Sequence, residues 1–151
     1  MYTKSMIRII RKYNFTAKDF FDYLEQTLTK EIKKARKNNL SINIQRGTIY
    51  SLKGKDGYLT NVVINEFTRN KKYSSTFENH GQRVTVTYTA IDIKDGCELI
   101  LTEDLLSYNP KQHNQIVNFL NNFLNYRSAQ QKLNVLAQDV KKNIASTNKK
   151  Q

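Results

Sequence analysis

The sequence predicts a single α+β domain, in which an antiparallel sheet of about six strands lies between an N-terminal helix and a long C-terminal helix. Two observations predict this class. The hydrophobic pattern has a helical period near both ends of the chain and a period of two between residues 42 and 104. Turn signals interrupt that middle stretch at short spacing, and short turns join antiparallel neighbours rather than strand–helix–strand units.

The first predicted elements are a strand at residues 6–11 and a helix that begins after Thr16. Thr16 is a suitable N-cap, and Asp19 follows it close to the positive end of the helix dipole. The helix carries an apolar stripe that spans about 120° of its circumference. The stripe consists of Phe20, Phe21, Leu24, Leu28, Ile32 and Ala35. Asn38 and Asn39 predict the end of the helix.

Five further strands are predicted, at residues 47–52, 59–67, 73–77, 84–90 and 97–102. The fourth of them alternates most regularly, with Val84, Val86 and Tyr88 on one face and threonines on the other. Glycine, asparagine and aspartate cluster in the turns between the strands. The sequence therefore favours consecutive hairpins through this region.

The last predicted element is a helix from Pro110 to about Asn143, because proline suits the first helical turn and no later Gly or Pro interrupts it. A straight helix of that length would measure about 51 Å, whereas a body of this size is only about 38 Å across. The helix is therefore expected to bend, to break near residues 125–129, or to overhang the body. We predict one domain at residues 1–144 and a disordered basic tail at residues 145–151.

The net charge of +12 is concentrated at the two ends of the chain. Residues 1–46 carry +7 and residues 110–151 carry +6, whereas the strand-rich middle carries −1. No apolar run is long enough to span a bilayer, and the first residues do not resemble a signal peptide. The one cysteine, Cys97, cannot form an internal disulfide. These features predict a cytoplasmic protein.

Several segments carry a family resemblance, namely residues 7–10, 15–24, 31–35, 86–92, 97–103 and 122–127. The order of elements resembles the helix-grip architecture of the START, birch-pollen-allergen and polyketide-cyclase proteins, in which a curved sheet wraps a C-terminal helix. Over about residues 5–142 the chain is similar to a Firmicutes family of domains of unknown function. The resemblance implies the fold, often with a cavity between sheet and helix, and brings no catalytic residues.

No motif for nucleotide, metal or thiol–disulfide chemistry occurs in the sequence, so we predict no cofactor and no metal site. His80 and His113 are interpreted as solvated surface residues. Cys97 is interpreted as a small buried hydrophobe, since no base follows it at a useful spacing. Glu103 and Asp104 are neighbours at a predicted strand end and point to opposite faces, so they do not form a catalytic pair. We therefore predict a binding protein rather than an enzyme.

The preferred site is a cavity between the sheet and the last helix that holds a small hydrophobic or amphipathic ligand. Strand tyrosines offer an apolar body with one polar tip, which suits such a pocket; filling of the core is the alternative. The candidate cavity residues are Tyr50, Phe67, Tyr73, Tyr88, Phe119 and Phe123.

The sequence also allows two alternative functions. The late apolar stripe of the last helix could support a homodimer or could pack against the chain's own sheet; it consists of Leu133, Leu136, Val140 and Ile144. Nucleic-acid binding is the third alternative, through the basic face Lys30, Lys33, Lys34 and Lys37. That face lacks interleaved aromatic residues, so a solvated helix surface is the better interpretation and nucleic acid is an unlikely partner.

Overall fold

The computed structural model describes residues 5–54, 57, 59–79, 81–107 and 126–149. For a few residues at the ends of these ranges it describes only the backbone. They form six strands and two helices in chain order. The strands are β1 (Ser5–Tyr13), β2 (Ile49–Lys53), β3 (Leu59–Thr68), β4 (Lys72–Asn79), β5 (Gln82–Ile93) and β6 (Gly96–Ser107). The helices are α1 (Ala17–Arg36) and α2 (Tyr126–Lys149). The predicted α+β class, the six strands and the helix at each end are confirmed.

Helix α1 begins as the sequence predicts. The Oγ1 of Thr16 accepts a hydrogen bond from the backbone N–H of Asp19, and the Asp19 carboxylate accepts one from the N–H of Thr16. This reciprocal capping box satisfies two donors that a helix start leaves free. The helix ends slightly before the predicted Asn38 and Asn39, because Lys37 takes the left-handed C-cap conformation and its N–H bonds the carbonyls of the last turn.

All six strands form one antiparallel sheet in the order β1-β6-β5-β4-β3-β2. Strands β2 to β6 follow one another as hairpins, and β1 joins the far side of the sheet by pairing with β6. The strands are longer than predicted: β6 continues to Ser107, five residues past the predicted end. That extension places Glu103 inside the sheet rather than at its margin.

One face of the sheet, which we call the inner face, carries the core. Its side chains alternate with those of the outer face along the strands, except at a bulge between Ile64 and Glu66 of β3. Fully buried examples are Ile9 on β1, Val84 on β5 and Leu99 on β6. Helix α1 covers part of this face with its apolar stripe: Phe20, Phe21, Leu24, Leu28 and Ile32 are buried, and Ala35 is half-buried.

The outer face carries hydroxyl and amide side chains that bond across neighbouring strands. Thr76 Oγ1 and Thr85 Oγ1 are 2.9 Å apart, and Asn65 Nδ2 donates to Thr76 Oγ1 at 2.7 Å. Ser74 and Thr87 make a similar pair at 3.1 Å. Cross-strand pairs of this kind stabilise one register of an antiparallel sheet.

Helix α2 packs against the body through one side. Ala129, Leu133, Ala137 and Val140 are buried, and Leu136 and Ile144 lie half-buried against the core. The Tyr23 hydroxyl of α1 donates to the Asp139 carboxylate at 3.1 Å, so the two helices are also joined by a polar contact. The part of the predicted last helix before Tyr126, with its expected break near residues 125–129, lies almost wholly outside the described residues.

Helix α2 continues to Lys149, beyond the predicted domain end at residue 144. The Thr147 hydroxyl donates to the carbonyl of Asn143, as side chains in a continuing helical turn do. Residues 145–149 are thus helical, where a disordered tail was expected. The division into a domain and a tail stays a prediction.

Candidate functional site

Four of the six candidate cavity residues lie together on the inner face, each on a different strand. They are Tyr50 on β2, Phe67 on β3, Tyr73 on β4 and Tyr88 on β5, and the register aligns Phe67 with Tyr73 and Tyr73 with Tyr88. The other two, Phe119 and Phe123, lie outside the described residues. Whether the four line a ligand cavity stays a prediction at this point.

The aromatic side chains of these strands contact one another and α1. The rings of Tyr73 and Tyr88 are stacked with centroids 6.3 Å apart, and Phe67 meets Tyr73 edge-on. Phe21 packs edge-on against Phe67 at 5.7 Å, and Phe20 is tilted against Tyr88 at 5.6 Å. Sequence periodicity predicted the inward direction of Tyr88, whereas Phe67 faces inward because of a β-bulge between Ile64 and Glu66 that was not predicted. The contribution of the α1 phenylalanines to the cluster was not predicted either.

The burial of this cluster is uneven. Tyr50 and Tyr73 are 6% and 5% exposed, and Phe20 and Phe21 are fully buried. Phe67, Phe77 and Tyr88 remain partly accessible although they lie on the same face as the fully buried Val84 and Leu101. Aromatic residues in a filled core would be expected to lose nearly all their accessible surface.

Two of the phenols belong to a chain of polar groups that sequence reasoning did not predict. The Tyr50 hydroxyl donates to the Glu31 carboxylate of α1 at 3.0 Å, and the Ser75 hydroxyl donates to the Tyr73 hydroxyl at 2.6 Å. Burial raises the pKa of Tyr73 to about 12 and raises that of Tyr50 further, with added repulsion from Glu31 in both cases. Both phenols are therefore neutral hydrogen-bonding groups at physiological pH.

The second polar feature of the interior is an ion pair between the sheet and α2. Glu103 on β6 is fully buried, and its Oε1 accepts a hydrogen bond from Lys132 Nζ at 3.1 Å. Burial raises the pKa of the Glu103 carboxyl, and Lys132 opposes that rise; burial lowers the pKa of Lys132, and Glu103 opposes that fall. Glu103 and Asp104 do point to opposite faces, but the prediction that placed Glu103 at a strand end was wrong.

Cys97 is fully buried at the start of β6, as predicted, and burial raises the pKa of its thiol to about 11. A thiol with that pKa is almost wholly protonated at neutral pH and is a poor nucleophile. Among the described residues, no group of three or more His, Cys, Asp or Glu side chains could hold a metal ion. His80 and His113 lie outside the described residues.

The basic face of α1 points away from the core. Lys30, Lys34 and Lys37 are exposed, and Lys33 is half-buried. This fits the solvated helix surface favoured by the sequence, and nucleic-acid binding there stays untested. Neither of the described helices is long and apolar enough to cross a membrane.

The apolar stripe of α2 packs against the core of the same chain. Leu133 is 1% exposed and Val140 is fully buried within the same chain, with Leu136 and Ile144 half-buried beside them. Of the two interpretations of this stripe, packing against the chain's own body is the one that this burial favours. A homodimer that used Leu133 and Val140 would have to expose them first.

A shallow recess of about 600 Å³ lies over β2, β3 and β4. Its lining is mainly outer-face side chains, among them Ile49, Ser51, Val63, Asn65 and Thr76. The recess is thus separated from the aromatic cluster by the sheet itself. The recess was not predicted. Ile49, which is 64% exposed, contributes apolar surface to it.

Solved structures of other proteins share this fold. The fold matches protein MLL2253 of Mesorhizobium loti, with a TM-score of 0.61, 15% identity, and coverage of 94% of this chain and 98% of the other. It also matches Ara h 8.0201, with a TM-score of 0.62, 11% identity, and coverage of 95% and 99%. A protein of unknown function from Staphylococcus aureus, SA2116, matches with a TM-score of 0.60 and 8% identity over 97% of both chains.

These similarities confirm the predicted START-like helix-grip fold, which this chain shares with Ara h 8.0201, and at such identities they show the fold alone. No curated protein matches the sequence. A family model, described as a domain of unknown function, matches residues 7–124, which is most of the chain. The chain therefore belongs to the DUF3284 family.

Proposed function

We propose that this protein is a binding module for a small apolar or amphipathic ligand, held between the inner face of the sheet and the C-terminal helix. One observation carries the proposal: Phe67, Phe77 and Tyr88 keep accessible surface on a face whose neighbouring residues are fully buried. Accessible aromatic rings that point inward are what an incompletely filled interior presents to a ligand.

The polar groups nearby suit such a ligand because they are few and mostly uncharged. Tyr50, Tyr73 and Ser75 offer hydroxyl groups, and the raised pKa values keep both phenols protonated. Apolar pockets with a small number of oriented polar groups select ligands by shape and by one or two hydrogen bonds. The chain shares its fold with Ara h 8.0201, which supports an interior site by analogy of architecture only.

The proposal is tested by titrating the protein with N-phenyl-1-naphthylamine, an uncharged dye whose fluorescence rises in apolar surroundings. We expect saturable binding at one site. Replacing Tyr88 by Trp adds volume on the inner face, so it should weaken dye binding by about tenfold or more, equivalent to about 1.4 kcal/mol.

The matched control is Ile91→Trp, which introduces the same indole ring on the same strand but on the outer face, where Ile91 is 48% exposed. It should leave the dye affinity unchanged. Circular dichroism in the near and far ultraviolet checks that both variants keep the native fold. Absence of saturable binding by the unmodified protein, or equal weakening by both variants, would count against an interior site.

A further inference from the structure

Glu103 is an unusual residue for an apolar interior. It stands on the inner face of β6, with Ile7 of β1 and Val86 of β5 beside it in the sheet. Its side chain has no accessible surface. Carboxylates are almost never fully buried unless they are paired, and the pairing here uses only one of the two oxygens.

The two carboxylate oxygens differ in their partners. Oε1 accepts the hydrogen bond from Lys132 Nζ at 3.1 Å, whereas Oε2 is buried and has no hydrogen-bond partner among the residues that the structure describes. An unpaired buried acceptor costs about 1–3 kcal/mol, and more when it is charged. Folded proteins rarely leave such an atom unsatisfied, so a second donor from outside the chain is expected at Oε2.

We infer that Glu103 Oε2 is the acceptor for the polar end of the ligand, and that this end carries a neutral donor, either a hydroxyl or an amide N–H. The inference rests on the proposed function, because it assigns a group within the same interior site. It narrows the ligand class to a largely apolar molecule that carries at least one such donor.

The charges around Glu103 exclude the other kinds of polar end. A ligand cation at Oε2 would lie close to the Lys132 ammonium, which already donates to Oε1, and two like charges at that separation repel each other. An anionic group would meet the Glu103 carboxylate itself. A group that only accepts hydrogen bonds, such as an ether, would leave Oε2 unpaired and would add a second unsatisfied acceptor.

The position of Lys132 shows that the ion pair lies at the margin of the interior. Its side chain is 32% accessible, whereas that of Glu103 is not accessible at all. A role restricted to joining α2 to the sheet would not need the pair to be ionic, since well-packed apolar residues of similar size do that equally well or better. The unpaired Oε2 is the feature that a purely structural role leaves unexplained.

The test compares two probes of similar shape, 1-naphthol, which donates a hydrogen bond, and 1-methoxynaphthalene, which cannot. Isothermal titration calorimetry at pH 7 should show that the unmodified protein binds 1-naphthol about tenfold more tightly or better, as one buried hydrogen bond to a charged acceptor implies. Hydrophobicity alone would favour the methoxy compound, so the expected order cannot arise from partitioning.

The matched variant is Glu103→Met combined with Lys132→Met, which removes both charges and keeps the side-chain volume. It should bind 1-naphthol about tenfold more weakly and 1-methoxynaphthalene nearly unchanged. A second measurement needs no variant: the carboxyl ¹³C resonance of Glu103 should shift on addition of 1-naphthol and stay in place with 1-methoxynaphthalene.

Equal affinities of the unmodified protein for the two probes, or a Glu103 resonance that responds to both alike, would overturn the inference while leaving the proposed interior site intact. Failure of both naphthalene probes to bind would also overturn it. In either case, the dye titration with Tyr88→Trp and Ile91→Trp decides separately whether the interior site exists.

Discussion

Two carboxyl groups of the described residues, Glu31 and Glu103, contact the interior in different surroundings. Glu31 projects from α1, is half-buried, and accepts a hydrogen bond from the neutral phenol of Tyr50. Glu103 projects from β6, is fully buried, and is paired with the ammonium of Lys132 from α2. Burial raises the pKa of both carboxyls, but a phenol opposes that rise at Glu31 and a cation opposes it at Glu103.

The difference shows how each helix is attached to the sheet. Helix α1 is joined by aromatic packing and by a hydrogen bond that survives protonation of the carboxyl, because a neutral carboxyl oxygen still accepts from a phenol. Helix α2 contributes Lys132, which forms an ion pair with Glu103, so protonation of Glu103 removes the charge attraction of that contact even where the hydrogen bond persists. The two helices should therefore respond differently to substitution and to pH.

The largest effect is expected from Lys132→Met, which leaves Glu103 buried without its cation. Breaking a buried ion pair from one side costs about 3–5 kcal/mol, and the partial exposure of Lys132 reduces our expectation to about 2 kcal/mol. Urea denaturation at pH 7 measures the loss. The loss should be smaller at pH 5, because Glu103 can then be protonated.

The control for this substitution is Glu103→Met combined with Lys132→Met, which should recover at least half of the lost stability. If Lys132→Met instead costs less than about 0.5 kcal/mol, the ion pair is not a desolvated contact.

A smaller effect is expected from Tyr50→Phe, which deletes the donor to Glu31 and keeps the packed ring. The loss should be about 1 kcal/mol, typical of a hydrogen bond between two partly buried side chains. A double-mutant cycle with Glu31→Met isolates the pairwise contribution, since Tyr50→Phe should cost less once Glu31 is gone and only the contact of the hydroxyl with Tyr73 remains. Equal losses in both backgrounds would show that the hydroxyl acts through another partner.

The pH dependence of Glu31 gives a third test. A carboxyl whose pKa is higher in the folded state binds more protons when folded, so it lowers stability as the pH rises from its ordinary value of 4.5 through the raised one. Glu31→Gln removes this contribution. The variant should therefore gain stability relative to the unmodified protein between pH 4 and pH 8 in urea titrations, and parallel curves would contradict the raised pKa.

The smallest effect is expected at a surface ion pair, which provides the reference for the two interior carboxyls. Asp22 on α1 pairs with Lys18 at 2.8 Å, and the Lys18 side chain is 70% exposed. Lys18→Ala should cost about 0.3 kcal/mol, and high salt should remove even that. A cost above about 1 kcal/mol would mean that the helix surface is more strongly coupled than its exposure indicates.

Local chemistry made much of the fold predictable. The Thr16–Asp19 capping box, the α1 stripe and the alternation of Val84, Val86 and Tyr88 all follow from spacing of a few residues. The helix end was less predictable, because Lys37 adopts a left-handed conformation that glycine and asparagine favour. Tertiary contacts of the C-terminal turn can impose such a conformation where local preference does not.

The polar contacts of the site were harder to predict because they join distant elements. Glu103 and Lys132 meet across a strand and a helix, and no spacing rule connects them. One signal was present: Glu103 continues the inward alternation of Cys97, Leu99 and Leu101, so extending the predicted strand would have turned its carboxylate inward. Its partner could be identified only from the packing of α2.

The pairing of β1 with β6 has a consequence for how the chain folds. Strands β2 to β6 pair with their neighbours in sequence, whereas the partners in β1 and β6 are about 90 residues apart. Closing so long a loop is slow, because its entropy must be lost before any contact forms. The hairpins are thus expected to form early and β1 to dock late, and until then β6 is an exposed edge at which two partly folded chains could join.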